Sequence, residues 1–126
     1  MSKKGILRNV EIPIYRIVIN VVIDKTCKKA IKLSKRLESN FLKYGQWRRT
    51  YGAYCHSVEE NIHAIVLAGD ANIETISHEC FHAVMTVLQL NGVRYSQKSE
   101  EAFAYVLGYL TEQVYNIKKE YESNKF

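Results

Sequence analysis

Two histidines and a glutamate stand at the spacing His-Glu-x-x-His, in which His78 and His82 flank Glu79. Residues four positions apart lie on the same face of an α-helix, so both imidazoles can approach one metal ion. Glu79, one step around the helix, can reach a water molecule beside that ion and accept its proton. The spacing therefore predicts a single Zn2+ site with a general base next to it, which is the chemistry of metal-assisted hydrolysis.

A catalytic zinc site usually has three protein ligands, and the candidates for the third are Glu100 and Glu101, which open the next helical segment. The apolar stripe of that segment is flanked by Glu100 and opposed by Glu101, which taken alone favours Glu100 as the buried carboxylate. Glu101 shares its own face with the small residues Ala104 and Gly108, which indicate a second buried face. We predict Glu101 as the third ligand and keep Glu100 as the alternative.

The helix that carries the histidines has clear signals at both ends. Asn72 is a predicted N-cap, Glu74 places a carboxylate at the positive end of the helix, and Asn91-Gly92 predicts its C-terminal end. Its apolar stripe is predicted to face away from the histidines and consists of Ile73, Ile76, Cys80, Val84 and Val87. We therefore expect both imidazoles to lie outside the core.

The run His78-Glu79-Cys80-Phe81-His82, followed by Glu101-Ala102-Phe103-Ala104-Tyr105, resembles the gluzincin branch of the zincin metallopeptidases. The first run, extended back to Thr75, also looks like small His-Glu-x-x-His proteins of bacteriophages and prophages, and is loosely similar to the ImmA/IrrE family of phage-repressor-associated peptidases. The resemblance implies a minimal zincin fold, peptidase activity and a phage or bacterial origin. Many gluzincins carry an acidic residue four positions after the ligand glutamate, where this chain has Tyr105.

The predicted reaction is hydrolysis of a peptide bond in a peptide or protein substrate. Glu79 is expected to accept the proton of the attacking water and to return it to the leaving amine. Tyr105, one turn beyond Glu101, is the candidate donor to the tetrahedral oxygen, with a packed aromatic side chain as the alternative for this residue.

An apolar segment just before the histidine helix is predicted to be a strand that holds the substrate. Its residues are Ala64, Ile65, Val66 and Leu67. An extended peptide can pair with such a strand through backbone hydrogen bonds. An inner strand with both edges already paired is the alternative. His56 and His63 are interpreted as surface or hydrogen-bonded histidines, with partners of the metal or of the transition state as the alternative.

Composition and patterning predict the architecture around these residues. The 126 residues, 47% of them hydrophobic, predict one domain over 1–126 of the α+β class with about three strands, in the order β-α-β-β-α-α. The predicted elements before the histidine helix are a strand from Tyr15 to Ile23, a helix after Asp24, and strands Tyr54–Val58 and Ile62–Ala68 joined by a turn at Glu59–Asn61.

Cysteine usage and hydropathy predict the cellular location of the protein. None of the three cysteines lies in a Cys-x-x-Cys motif, which favours a reducing, cytoplasmic location, and the host cytoplasm if the chain is phage-encoded. No apolar run is long enough to span a bilayer, so we expect a soluble protein without a membrane partner.

Charge and the resemblance leave two other functions open. The first 60 residues contain 13 basic and 5 acidic side chains, against 5 and 8 in the remainder. With Trp47, Arg48, Arg49 and Tyr51, this basic half predicts a surface for nucleic acid, although solvated lysines on one helix are the more common reason for such a pattern. The phage resemblance adds a zinc-containing protein that binds a host protein with little catalysis.

Overall fold

The structure is a computed structural model that describes residues 4–44 and 51–123. Within these residues it has the predicted α+β class, with a mixed four-stranded sheet and four helices. The elements are β1 (Ile6–Ile12), β2 (Ile17–Asp24), α1 (Cys27–Ile31), α2 (Lys35–Tyr44), β3 (Gly52–Ser57), β4 (Ile62–Ala68), α3 (Ile73–Leu90) and α4 (Glu100–Ser123).

The strands lie in the order β1-β2-β4-β3, with β2 parallel to β4 and the other two pairs antiparallel. The prediction of about three strands missed β1, which forms a hairpin with β2. Apolar side chains alternate only weakly in β1, where Arg8, Asn9 and Glu11 are exposed on an edge strand. The formation of such a strand depends on its pairing with the neighbouring strand more than on its own sequence pattern.

Helices cover both faces of the sheet and create two cores. One core joins α3 and α4 to one face, including Ile65 and Leu67, while the other joins α1 and α2 to the opposite face, including Ala64 and Val66. All seven residues of β4 are buried as a result. A continuous apolar run is the expected sequence of a strand covered on both faces.

The single helix predicted after Asp24 is divided into α1 and α2. Thr26, rather than Asp24, caps α1, because its side chain accepts the N–H of Lys29 at 3.2 Å. The Ser34 hydroxyl accepts the N–H of Leu37 at 3.4 Å, which provides a new helix start within the apolar periodicity. A periodic stripe does not reveal such a break, since the same face is buried on both sides of it.

The ends of α3 confirm the predicted signals. The Asn72 side chain accepts the N–H of Thr75 at 2.9 Å, and Gly92 follows the helix at a φ of 79°, which glycine adopts without strain. The predicted stripe is buried except at Ile73. None of the helices within residues 4–44 and 51–123 combines the length and apolar character that crossing a membrane requires.

Candidate functional site

The two histidines of the motif lie exposed on α3 and point toward each other. Their Nε2 atoms are 3.2 Å apart, and their ring planes are inclined at 72°. In a tetrahedral site, two nitrogens bound to zinc at about 2.0–2.1 Å are roughly 3.3 Å apart. The described arrangement of His78 and His82 therefore fits two ligands of one zinc ion, with solvent access from the outer face of the helix.

Glu79 lies next to this pair but on the protein side of the helix, where it is only 8% exposed. Burial raises the pKa of its carboxyl group, while the two neighbouring imidazoles and a hydrogen bond from the backbone N–H of Tyr54 act in the opposite direction. Glycine at position 52 allows this close packing, because a Cβ there would lie 3.3 Å from Cγ of Glu79. The carboxylate is thus held between α3 and β3.

Strand β3 is an edge strand in the described part of the chain, and its free edge runs beside Glu79. The N–H of Ala68 donates to the carbonyl of Tyr51 at 2.9 Å, which fixes the alternation of paired and unpaired residues along β3. Gly52, Tyr54 and His56 therefore direct their backbone groups away from β4. The bond from Tyr54 to Glu79 agrees with this orientation.

The predicted substrate strand is not available for strand addition, and that prediction is wrong. Its residues Ala64, Ile65, Val66 and Leu67 pair with β2 on one side and with β3 on the other. A strand whose two edges are paired has no backbone groups left for an added peptide. Of the described strands, β3 provides the unpaired edge beside α3.

The predicted second buried face of α4, which favoured Glu101 over Glu100, is also wrong. The face that Glu101 shares with Ala104 and Gly108 is exposed, and a Cβ added to Gly108 would meet nothing within 4 Å. Both glutamates are exposed as well. The small residues on this face are therefore in contact with solvent rather than with a neighbouring helix.

The packing of α4 on α3 also separates these glutamates from the histidines. Cys80, which lies between the histidines in sequence, forms a side-chain hydrogen bond with Thr111. Glu101 precedes Thr111 by ten residues, which is about 15 Å along a helix axis. Among residues 4–44 and 51–123, no group of three His, Cys, Asp or Glu side chains is placed to hold a metal. The structure thus brings His78, His82 and Glu79 together without either candidate third ligand.

Tyr105 does not join the site. Its side chain is 78% exposed, so it is not the packed aromatic of the alternative prediction either. It lines a cavity together with Glu101, between α4 and the turn that connects β1 and β2. Its predicted role as a donor to the reacting oxygen has no support from this position.

A buried group beside the site was not predicted as a unit. The Tyr54 hydroxyl lies 2.7 Å from Nδ1 of His63, and the rings of His56 and His63 stack with centroids 4.3 Å apart. His63 is only 1% exposed, and its Nε2 has no hydrogen-bond partner in the described residues. The hairpin register pairs His56 with His63, so the predicted turn at Glu59–Asn61 already contained the signal for this contact.

This group makes stability depend on pH. Burial, with a smaller effect of the neighbouring His56, lowers the pKa of His63 to about 4 from the ordinary 6.5. In this pH range the unfolded chain therefore binds a proton at His63 that the folded chain does not bind. The free energy of unfolding falls as a result when the pH drops from 6.5 toward 4. Between pH 6.5 and pH 4, this shift lowers the unfolding free energy by roughly 2–3 kcal/mol. Urea unfolding of the metal-free protein over this range measures it.

The matched variant for this measurement is His63→Gln, which keeps a polar side chain but does not titrate. We expect its unfolding free energy to change less than that of the original chain between pH 6.5 and 4, by about the amount assigned to His63. The opposing contribution of Glu79, whose raised pKa favours the folded state as the pH falls, is common to both proteins and cancels. Parallel pH profiles for the two chains would contradict the assignment.

The basic surface predicted for nucleic acid is only partly described. Trp47, Arg48 and Arg49 lie outside the described residues, and Tyr51 is exposed at the start of β3. The basic side chains of α1 and those of Lys35 and Arg36 in α2 are exposed, and Arg36 donates to the carbonyl of Glu60 at 3.2 Å. This distribution is that of a solvated helix face.

Comparison of the chain with models of known protein families, with curated proteins and with solved structures gives no match. The residues brought together on α3 and β3 are two converging imidazoles, one buried carboxylate and one free strand edge.

Proposed function

We propose that this protein is a zinc-dependent peptidase in which His78 and His82 bind the metal and Glu79 is the general base. The observation that carries the proposal is the convergence of the two Nε2 atoms at 3.2 Å on the turn that also holds a buried glutamate. A pair of imidazoles with no catalytic role does not require a carboxylate beside it that is held in place from a second element.

The residues of the pair fit zinc by their chemistry. Both nitrogens are uncharged donors of the kind that zinc prefers, and both lie on the exposed face of α3, where solvent can complete the coordination. When bound, zinc supplies Lewis acidity and lowers the pKa of a water molecule toward about 7. Glu101 and Glu100, predicted as the third ligand, lie toward the other end of α3 and are not required by this proposal.

Glu79 performs the proton transfers. One carboxylate oxygen is engaged by the N–H of Tyr54, which fixes the orientation of the group. The other oxygen remains to accept a proton from the attacking water and to deliver it to the leaving amine. Because the side chain is held from both α3 and β3, little reorganisation is needed at the moment of transfer.

The substrate binds along the free edge of β3. A peptide in extended conformation can form backbone hydrogen bonds with the carbonyls of Gly52 and Tyr54 and with the outward groups of His56. This path runs past Glu79, which itself bonds to the middle of the same strand. Because these contacts are made by the peptide backbone, the site selects unfolded segments, whatever their sequence.

His56→Pro tests this binding mode, because proline removes only the outward N–H of an edge-strand residue and is tolerated at such positions. We expect the KM for a peptide substrate to rise about tenfold, which is the value of one lost hydrogen bond in a favourable case, with a smaller change in kcat. His56→Ala is the matched control, since it loses the same side chain but keeps the N–H. Equal KM values for the two variants would exclude pairing at this residue.

The activity itself is tested with an unfolded protein such as casein. Newly formed amino termini are counted after incubation with the zinc-loaded chain, after removal of zinc by a chelator, and after zinc is returned. The proposal predicts cleavage that disappears with the metal and returns with it. Cleavage that persists in the chelated protein, or none in the zinc-loaded protein, would contradict the proposal.

A further inference from the structure

A cavity of about 360 Å³ lies away from the histidines, between the turn that connects β1 to β2 and the first turns of α4. Three tyrosines line it, Tyr15, Tyr105 and Tyr109, together with Glu101. The other described residues of its lining are apolar, and none of them is basic. Its volume is within the range of sites that hold small molecules.

The turn at the mouth of this cavity has an unusual backbone. Ile14 has a φ of 74°, and the N–H of Tyr15 donates to the carbonyl of Pro13 at 2.8 Å, which is the hydrogen bond of a γ-turn centred on Ile14. A β-branched residue is rarely found at a positive φ. The turn leaves the Ile14 side chain 90% exposed at the edge of the cavity.

Helix α4 holds the opposite wall. The hydroxyl of Tyr109 donates to the carbonyl of Glu11 at 3.2 Å, which ties the helix to the end of β1. Tyr105 lies one turn before it and remains largely exposed, although its ring borders the cavity. Aromatic rings are therefore present on both walls, from the hairpin and from the helix.

The charge of the lining selects the occupant. Glu101 is the charged residue of the described lining, and its negative charge raises the affinity for a cation over that for a neutral ligand of the same shape. An anion would be repelled by the same group. A cation satisfies the carboxylate, and the electron-rich faces of tyrosine rings attract it as well.

We infer that this cavity is a binding site for a small organic cation with an alkylammonium or quaternary ammonium head. The head group lies among the rings of Tyr15, Tyr105 and Tyr109, and the carboxylate of Glu101 neutralises its charge. The site is independent of the peptidase proposal, since it shares none of the residues assigned there to metal, base or substrate.

Choline is the probe, because its uncharged isostere, in which a tert-butyl group replaces trimethylammonium, has the same shape. Calorimetric titration of the full zinc-loaded chain is expected to show binding of choline at least about tenfold tighter than binding of the isostere. Equal affinities, or no binding of choline, would overturn the inference.

Glu101→Gln is expected to weaken choline binding at least about tenfold while leaving the affinity for the isostere unchanged. Glu100→Gln is the matched control, because Glu100 is the adjacent exposed glutamate and does not line the cavity. Tyr105→Leu keeps an apolar side chain without the aromatic face, and it should weaken choline more than the isostere. Both Glu101 and Tyr105 are exposed, so these variants should fold normally, which thermal melting verifies.

The zinc content of Glu101→Gln is the final readout. Zinc retained together with lost choline binding supports a cation site on Glu101. Zinc lost with choline binding would assign the carboxylate to the metal and overturn the inference, without affecting the role of Glu79. Absence of cleavage in the original chain would contradict the peptidase proposal alone, because choline binding does not depend on it.

Discussion

Glu79→Gln is expected to lower peptide hydrolysis by about 10³-fold or more while zinc remains bound. Glutamine has nearly the same shape and can still accept the hydrogen bond from the N–H of Tyr54, but it cannot take a proton from water. Because the side chain is largely buried, removing its charge should not destabilise the fold and can raise its stability. Initial rates with casein, measured at equal zinc occupancy, provide the comparison.

The matched control is Glu74→Gln, which removes an exposed carboxylate from the first turn of the same helix. Its activity should remain within about twofold of the original chain, since its contribution is limited to the helix dipole. Turnover retained in Glu79→Gln would refute the assignment of the base. Zinc bound without hydrolysis in the original chain would instead favour the predicted alternative of a zinc-containing protein that binds a host protein.

The affinity for zinc is expected to depend strongly on both motif histidines. His78→Ala and His82→Ala should each weaken zinc binding by at least about 100-fold, because each removes one of two converging ligands. Both side chains are exposed, so the fold should persist without them. Titration of the metal-free protein with zinc against a competing chromogenic chelator measures the affinities.

His56→Ala is the control for these variants. His56 stacks on His63 and lies on β3, not on the helix that carries the motif pair. Its zinc affinity should equal that of the original chain. A loss of zinc in His56→Ala, with binding retained in the motif variants, would transfer the metal to the stacked pair on β3 and β4.

Local signals in the sequence were sufficient for the elements that carry the motif. Asn72 and Gly92 predicted the ends of α3 because capping depends on a few neighbouring residues. The hairpin turn at Glu59–Asn61 was equally local, and the structure confirms it between β3 and β4. Together, α3 and the hairpin of β3 and β4 place Glu79 beside β3.

The pairing of the strands and the packing of the helices could not be predicted from local signals in the sequence. Whether β4 has a free edge depends on β2 and β3 pairing with it, and the apolar run over 64–68 was compatible with both the substrate strand and the inner strand. The position of Glu101 depends on how α4 packs along α3, and the small residues Ala104 and Gly108 suggested a contact that the fold does not make. Small side chains permit close approach but do not cause it.

The measurement that tests the central claim most directly is X-ray absorption at the zinc edge of the zinc-loaded chain. Zinc held by His78 and His82 predicts two imidazole ligands at about 2.0–2.1 Å, oxygen in the remaining positions and no sulfur. The double variant with alanine at both positions should lose the imidazole signal. Sulfur at about 2.3 Å, or an unchanged imidazole signal in the double variant, would contradict the account.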